Sequence, residues 1–130
     1  MSYLTYRGRK VSLGRLGTAG IPGTATLLKL YTTASVPNLD GTGFVDLATA
    51  DGYSPWTIAL VDWTTTESLN ATYETLAAKA FTASGSNVTN IAGAYLADAT
   101  GPLMWLPLLS SVTILVGNTL TLDTVRLSIA

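Results

Sequence analysis

The chain contains no histidine and no cysteine. Those two absences remove imidazole general bases, thiol nucleophiles, disulfides and the usual zinc ligand sets. They also leave the redox compartment unreadable. Charge is scarce as well: Asp, Glu, Lys and Arg make up 12% of 130 residues, about half the usual share. A folded domain of this size exposes on the order of 6,500 Å², so its charges are spread thinly. The shortage implies that part of the surface faces other protein rather than water. The competing explanation is a β-domain solvated by its many threonines and serines. The N-terminus lacks an apolar run of the secretory type, so no signal peptide is expected. Residues 99–122 carry no charge over a length able to cross a bilayer. Pro102, Pro107, Ser110, Ser111, Gly117, Asn118 and four threonines interrupt that run, so no membrane partner is expected.

The charges that are present are unevenly placed. Residues 1–30 hold Arg7, Arg9, Lys10, Arg15 and Lys29 without an acid, a balance of +5; the remaining residues sum to −6, giving −1 overall. A basic segment on an acidic body suits self-assembly or docking on an acidic surface. Nucleic acid is not expected as a partner, because the basic residues are few and only Tyr3 and Tyr6 lie among them.

Residues 1–23 have glycines at 8, 14, 17, 20 and 23 and Pro22, and sustain no period of 2 or 3.6. They predict an extended arm, with one short strand near Val11–Leu13. Its apolar residues argue against a solvated tail. Tyr3, Leu4, Tyr6, Arg7, Arg9, Lys10, Val11, Leu13 and Arg15 are its candidate partner-binding residues, the basic ones directed at carboxylates on a partner protein.

From residue 24 onward the pattern is one of strands. "TATLLKLYTT" places Leu28, Leu30 and Thr32 on one face and Leu27, Lys29 and Tyr31 on the other. "WTIALVDW" (56–63) predicts one strand with a bulge near Ala59–Val61, where the apolar parity switches. Residues 64–74 predict a long loop or hairpin, and 75–84 a strand entering a turn. "VTNIAGAYLAD" (88–98) and "LMWLPLLS" (103–110) follow, the second at an edge or bulged because Pro107 cannot donate to a ladder. Val112, Ile114 and Val116 lead to a Gly117-Asn118 turn, then Leu120 and Leu122. Val125, Leu127 and Ile129 are expected inward. Seven or eight short strands with turn signals between them indicate an all-β domain. The expected architecture is an antiparallel β-sandwich, jelly-roll-like, over residues 24–130, with 1–23 as the arm.

Residues 81–107 contain one charge, Asp98, and their two strands are apolar on both faces. That surplus predicts an oligomer interface at Val88, Asn90, Ala92, Ala94, Leu96, Met104, Trp105 and Leu106.

Sites of other kinds find little support. Asp40-Gly-Thr-Gly lacks the further acids of a calcium loop and predicts a turn. Asp62, Glu67 and Glu74 have nothing fixing a catalytic separation. Trp56, Trp63 and Trp105 fit core or interface anchors better than a sugar platform. Asn70 and Asn87 match a glycosylation sequon but lack a secretory signal. "GRLGTAGIPG" lacks the Gly-Lys-Ser/Thr of a phosphate loop.

Four segments resemble small virion proteins of tailed bacteriophages. They are "LLKLYTTASVPNLDGT", "GYSPWTIAL", "FTASGSNVTNIAGAYLADATGPLMW" and "VTILVGNTLTLD", in that order within residues 27–130. The resemblance implies a structural β-sandwich of the capsid decoration (cement) type, with no catalytic residues and no cofactor. It implies a virion location on the capsid surface, the major capsid protein as partner, and a homotrimer. A tail or head–tail structural protein, or a carbohydrate- or receptor-binding sandwich of a tail fibre, is the alternative. The basic arm is not part of the resemblance.

Overall fold

The computed structural model describes residues 3–12, 21, 25–47, 53–67, 72–122 and 125–129, with backbone alone for 10–12, 65–67, 72–74 and 125–129. Ten strands occur among them: β1 Tyr3–Leu4, β2 Leu27–Thr32, β3 Trp56–Thr57, β4 Trp63–Glu67, β5 Thr72–Leu76, β6 Lys79–Thr82, β7 Val88–Ala97, β8 Pro102–Ile114, β9 Thr119–Leu122 and β10 Val125–Ile129. Helix α1 covers Tyr6–Ser12, and a 3-10 turn covers Leu60–Asp62. The strands form a five-stranded sheet in the order β1-β8-β7-β2-β3, a three-stranded sheet β10-β5-β4, and a pair β6-β9. Every pairing is antiparallel. The protein is thus mostly β, as its turn-punctuated alternation predicts. No helix among the described residues is long and apolar enough to cross a membrane.

Register decides which side chains share a face, since neighbours along a strand point to opposite sides. Leu28, Leu96, Met104 and Leu4 align across the large sheet, as do Leu30, Ala94 and Leu106. These residues join one hydrophobic core with Trp63 and Leu76 of the three-stranded sheet and Phe81 of the strand pair. The core therefore lies where all three sheets meet. On the reverse face, Lys29, Tyr95, Trp105 and Tyr3 align in a row. Tyr31, Tyr95, Ala97 and Trp105 form a second buried cluster there, packed by Phe44 and Ala92. Gly93 makes that packing possible: a Cβ at this position would overlap the Tyr31 hydroxyl and the Leu106 carbonyl.

Two strand expectations need correction. Residues 56–63 are not one bulged strand. β3 ends at Thr57 in the large sheet, and β4 starts at Trp63 in the three-stranded sheet. The parity switch marks this change of sheet. The turn between them closes through Asp62, whose carboxylate accepts the Ala59 N–H at 2.8 Å and whose own N–H reaches the Ala59 carbonyl at 3.0 Å. Residues 103–116 do not divide into two strands; β8 is continuous from Pro102 to Ile114. It is bulged, because Gly93 faces Pro107 while Ile91 faces Val112, so that Ala92 is opposed by residues 108–111. Pro107 lies beyond the end of β1, where no described strand covers the outer side of β8. The 64–74 segment is a hairpin of β4 and β5. The inward placement of Val125, Leu127 and Ile129 lies outside the described side chains.

Residues 3–12 are not an extended arm. β1 adds to β8 through Tyr3↔Trp105 and Leu4↔Met104. Thr5 then caps α1: its hydroxyl accepts the Gly8 N–H at 3.0 Å and donates to the Pro102 carbonyl at 2.9 Å. Such an N-cap satisfies a helix-end donor that has no partner within the helix. A Cβ at Gly8 would overlap the Leu103 carbonyl, so glycine lets the helix lie directly on β8. The strand expected near Val11–Leu13 is replaced by α1 as far as Ser12.

Candidate functional site

Tyr3 stacks on Trp105 with ring centroids 5.2 Å apart. Phe44 lies 4.7 Å from Tyr95 and meets Trp105 edge-on at 5.9 Å. The Tyr95 hydroxyl donates to Asp46, which also pairs with Lys29 at 3.2 Å. Burial, and then the Asp46 carboxylate, raise the Tyr95 pKa above the ordinary phenol value. Beside this cluster is a shallow open groove of about 440 Å³, lined by Tyr6, Pro37, Asn38, Leu39, Asp40 and Trp105. Its wall is tied by the Tyr6 N–H to the Leu39 carbonyl at 2.6 Å.

The expected arm residues divide sharply. Leu4 packs against the core. Arg7 reaches Asp98 at 2.5 Å, so its charge is used within the chain rather than held for a partner. Tyr3 and Tyr6 remain partly exposed, and the Arg9 guanidinium lies 5.7 Å from the Tyr6 ring centroid. The Lys10 and Val11 side chains, and Leu13 and Arg15 altogether, lie outside the described residues.

The expected oligomer interface is corrected in the same way. Val88, Ala94, Leu96 and Met104 are buried within this chain, and Trp105 is 8% exposed. Ala92 and Leu106 are half-buried; Asn90 is exposed. Asn90 has φ 59° beside a bulge in β7, a left-handed conformation that asparagine tolerates. The surplus apolar strand is covered on one face by the shared core and on the other by Phe44 and Tyr3. Sequence patterning cannot show this, because both covers come from segments distant in the chain.

The apolar side chains left in water are elsewhere. Leu109 is fully exposed at the bulge of β8, and Val61 is 88% exposed at the 3-10 turn. Val36, Leu60, Leu115 and Val116 are also more than half exposed. Leu109 lies near the end of the edge strand expected over 103–110, and Val61 lies at the parity switch expected as a bulge; the exposure of either side chain is not legible from its spacing.

Among the described residues, no group of three or more Asp or Glu side chains stands where it could hold a metal. Asp40 accepts from the Thr42 hydroxyl at 2.6 Å and the Thr42 N–H at 3.0 Å, which lower its pKa. It is a turn carboxylate. Asp62 is held ionised by the Ala59 N–H and Lys79; the Glu67 and Glu74 side chains lie outside the description. Trp63 and Trp105 are both 8% exposed and present no open ring face to a sugar. Asn87 accepts the Val116 N–H at 3.0 Å; Asn70 lies outside the described residues. Comparison with protein families, curated proteins and solved structures found no match.

Proposed function

We propose that the chain is a non-enzymatic structural protein of a tailed-phage virion, a decoration subunit bound to the outer surface of the major capsid protein lattice. In this reading the sheets close as a jelly-roll-like sandwich, and copies associate as a trimer. The observation that carries it is the set of exposed apolar side chains, above all Leu109 at the bulge of β8 and Val61 on the 3-10 turn, in a chain with about half the usual charge. Such positions suit protein contacts more than solvent. The ordered resemblance of four segments within residues 27–130 supplies the virion setting. The engagement of Arg7 with Asp98 takes that one N-terminal charge out of any docking role.

The test is to add purified chain to empty heads that lack it and to measure co-sedimentation, together with antibody labelling of intact virions. Saturable binding to heads and label over the capsid are expected. Label confined to the tail would transfer the protein to a tail or head–tail role. Absence from both would refute the virion reading.

A further inference from the structure

We propose that the groove between the start of α1, the 37–40 turn and β8 binds a neutral saccharide, with Tyr6 as the stacking ring and Asp40 as the acceptor of sugar hydroxyls. This role goes beyond the virion reading above and does not depend on it.

The groove is continuous and already formed. Tyr6, Pro37, Asn38, Leu39, Asp40 and Trp105 line one depression of about 440 Å³, a volume within the range of small-molecule sites. Its walls are held by backbone bonds. The Tyr6 N–H donates to the Leu39 carbonyl at 2.6 Å, the Asn38 N–H to the Thr42 carbonyl at 3.0 Å and the Gly41 N–H to the Asn38 carbonyl at 3.0 Å. A site ordered in advance loses little entropy when it is filled.

Its side chains keep unused polar groups. Asp40 spends Oδ1 on the Thr42 hydroxyl and N–H, and no described residue donates to its Oδ2. Asp46, Asp62 and Asp98 each pair with a cation, whereas Asp40 pairs with none among the described residues. The Asn38 amide donates to the Thr42 hydroxyl at 3.3 Å, and no described group donates to its oxygen. No described residue accepts from the Trp105 indole N–H or bonds the Tyr6 hydroxyl. Tyr6 is 53% exposed, so much of its ring meets solvent.

These groups select the ligand class. An apolar occupant would strip water from the Asp40 carboxylate and the indole N–H and return nothing. An anion would meet Asp40. A cation would meet the Arg9 guanidinium, 5.7 Å from the Tyr6 ring centroid, and could not accept from the indole. An extended peptide adds through main-chain bonds, but the Tyr6 and Asn38 N–H groups and the Asn38 and Leu39 carbonyls are already paired. A saccharide answers each group. Every hydroxyl both donates and accepts, so adjacent hydroxyls serve Asp40, the Asn38 oxygen and the indole N–H while an apolar C–H face lies on the Tyr6 ring. Trp105 contributes its edge rather than a ring face, in keeping with its 8% exposure.

Nuclear magnetic resonance titration of the full chain with glucose, galactose, N-acetylglucosamine and their disaccharides tests this. Saturable shifts of the Trp105 indole and the 38–42 amides are expected, with a dissociation constant on the order of 1 mM. Asp40→Asn keeps an oxygen for the Thr42 turn but replaces the free acceptor with a donor; Tyr6→Ala removes the ring. Each should weaken binding about tenfold or more. Trp56→Ala, at a partly exposed aromatic outside the groove, should leave it unchanged. Circular dichroism confirms the fold of each variant, and Tyr6→Leu replaces Tyr6→Ala if the latter misfolds. Choline chloride and a proline-rich peptide provide the cationic and peptide arms. No saturable shift with any of these sugars at concentrations on the order of 100 mM would overturn the proposal. So would sugar binding that survives both substitutions, or saturation by choline or the peptide alone. Head binding is measured separately, so failure here leaves the capsid reading intact.

Discussion

Replacing Gly8 with alanine tests the docked N-terminal segment most directly, because local and tertiary effects have opposite signs. Within an exposed helix the change would stabilise by about 1 kcal/mol, since alanine loses less backbone freedom. At Gly8 the added Cβ overlaps the Leu103 carbonyl. That carbonyl belongs to β8, which lies between β1 and β7 and has little freedom to yield. The helix must lift instead. Overpacking of this kind costs about 1–3 kcal/mol. Lifting also disturbs Thr5, which is fully buried and holds both the Gly8 N–H and the Pro102 carbonyl. A weakened N-cap costs a further ~0.5–2 kcal/mol. The net expectation is a loss of about 2 kcal/mol, or a Tm lower by roughly 8 °C for a domain of this length. Thermal unfolding followed by circular dichroism would measure it, with Arg9→Ala at an exposed site of the same helix as a control of small effect. A Gly8→Ala protein as stable as wild type, or more so, would refute the docked geometry.

The same segment predicts an acid dependence. Burial alone would raise the Asp98 pKa, but hydrogen bonds from Arg7 and from the Thr100 and Gly101 N–H groups, together with the Arg7 charge, outweigh it and hold the carboxyl below its usual range. The stability this supplies is full above the unfolded value of about pH 4 and is lost as pH falls through the folded pKa. Arg7→Met should therefore flatten the acid limb of a Tm–pH curve, and an unchanged limb would remove the ion pair from the account. On the alkaline side, burial pushes Tyr53 up to about 12, partly offset by the Leu30 N–H, and raises Tyr95 together with Asp46. Their stabilisation is full below about pH 10 and is lost as pH rises through the folded values, so both should ionise only as the protein unfolds in alkali. Spectrophotometric titration of the folded protein with all six tyrosines ionising near pH 10 would contradict this.

Much of the β character was legible because strand alternation is a local property. Leu28 and Leu30 are inward on β2 and Lys29 and Tyr31 on the reverse face, as their spacing indicates. Asp40 makes its turn through Thr42, two residues away, and Gly117 adopts φ 82° in the turn that its sequence signals. The order of the N-terminal segment is not legible locally because it comes from across the chain. A threonine and a glycine three residues apart are weak signals alone, and become a capped, docked helix only when Pro102 and Leu103 are beside them. The change of sheet between Thr57 and Trp63 appeared locally only as a break in parity, which a bulge would also produce. The candidate contact surface shows the same division. Sequence alone determined that the chain is β-rich, poor in charge and without histidine or cysteine, since those follow from residue identity and a two-residue period. Tertiary structure decided which apolar side chains remain in water: Phe44 and Tyr3 cover the reverse face of β7 and β8, while nothing described covers Val61, because burial depends on distant segments meeting in space.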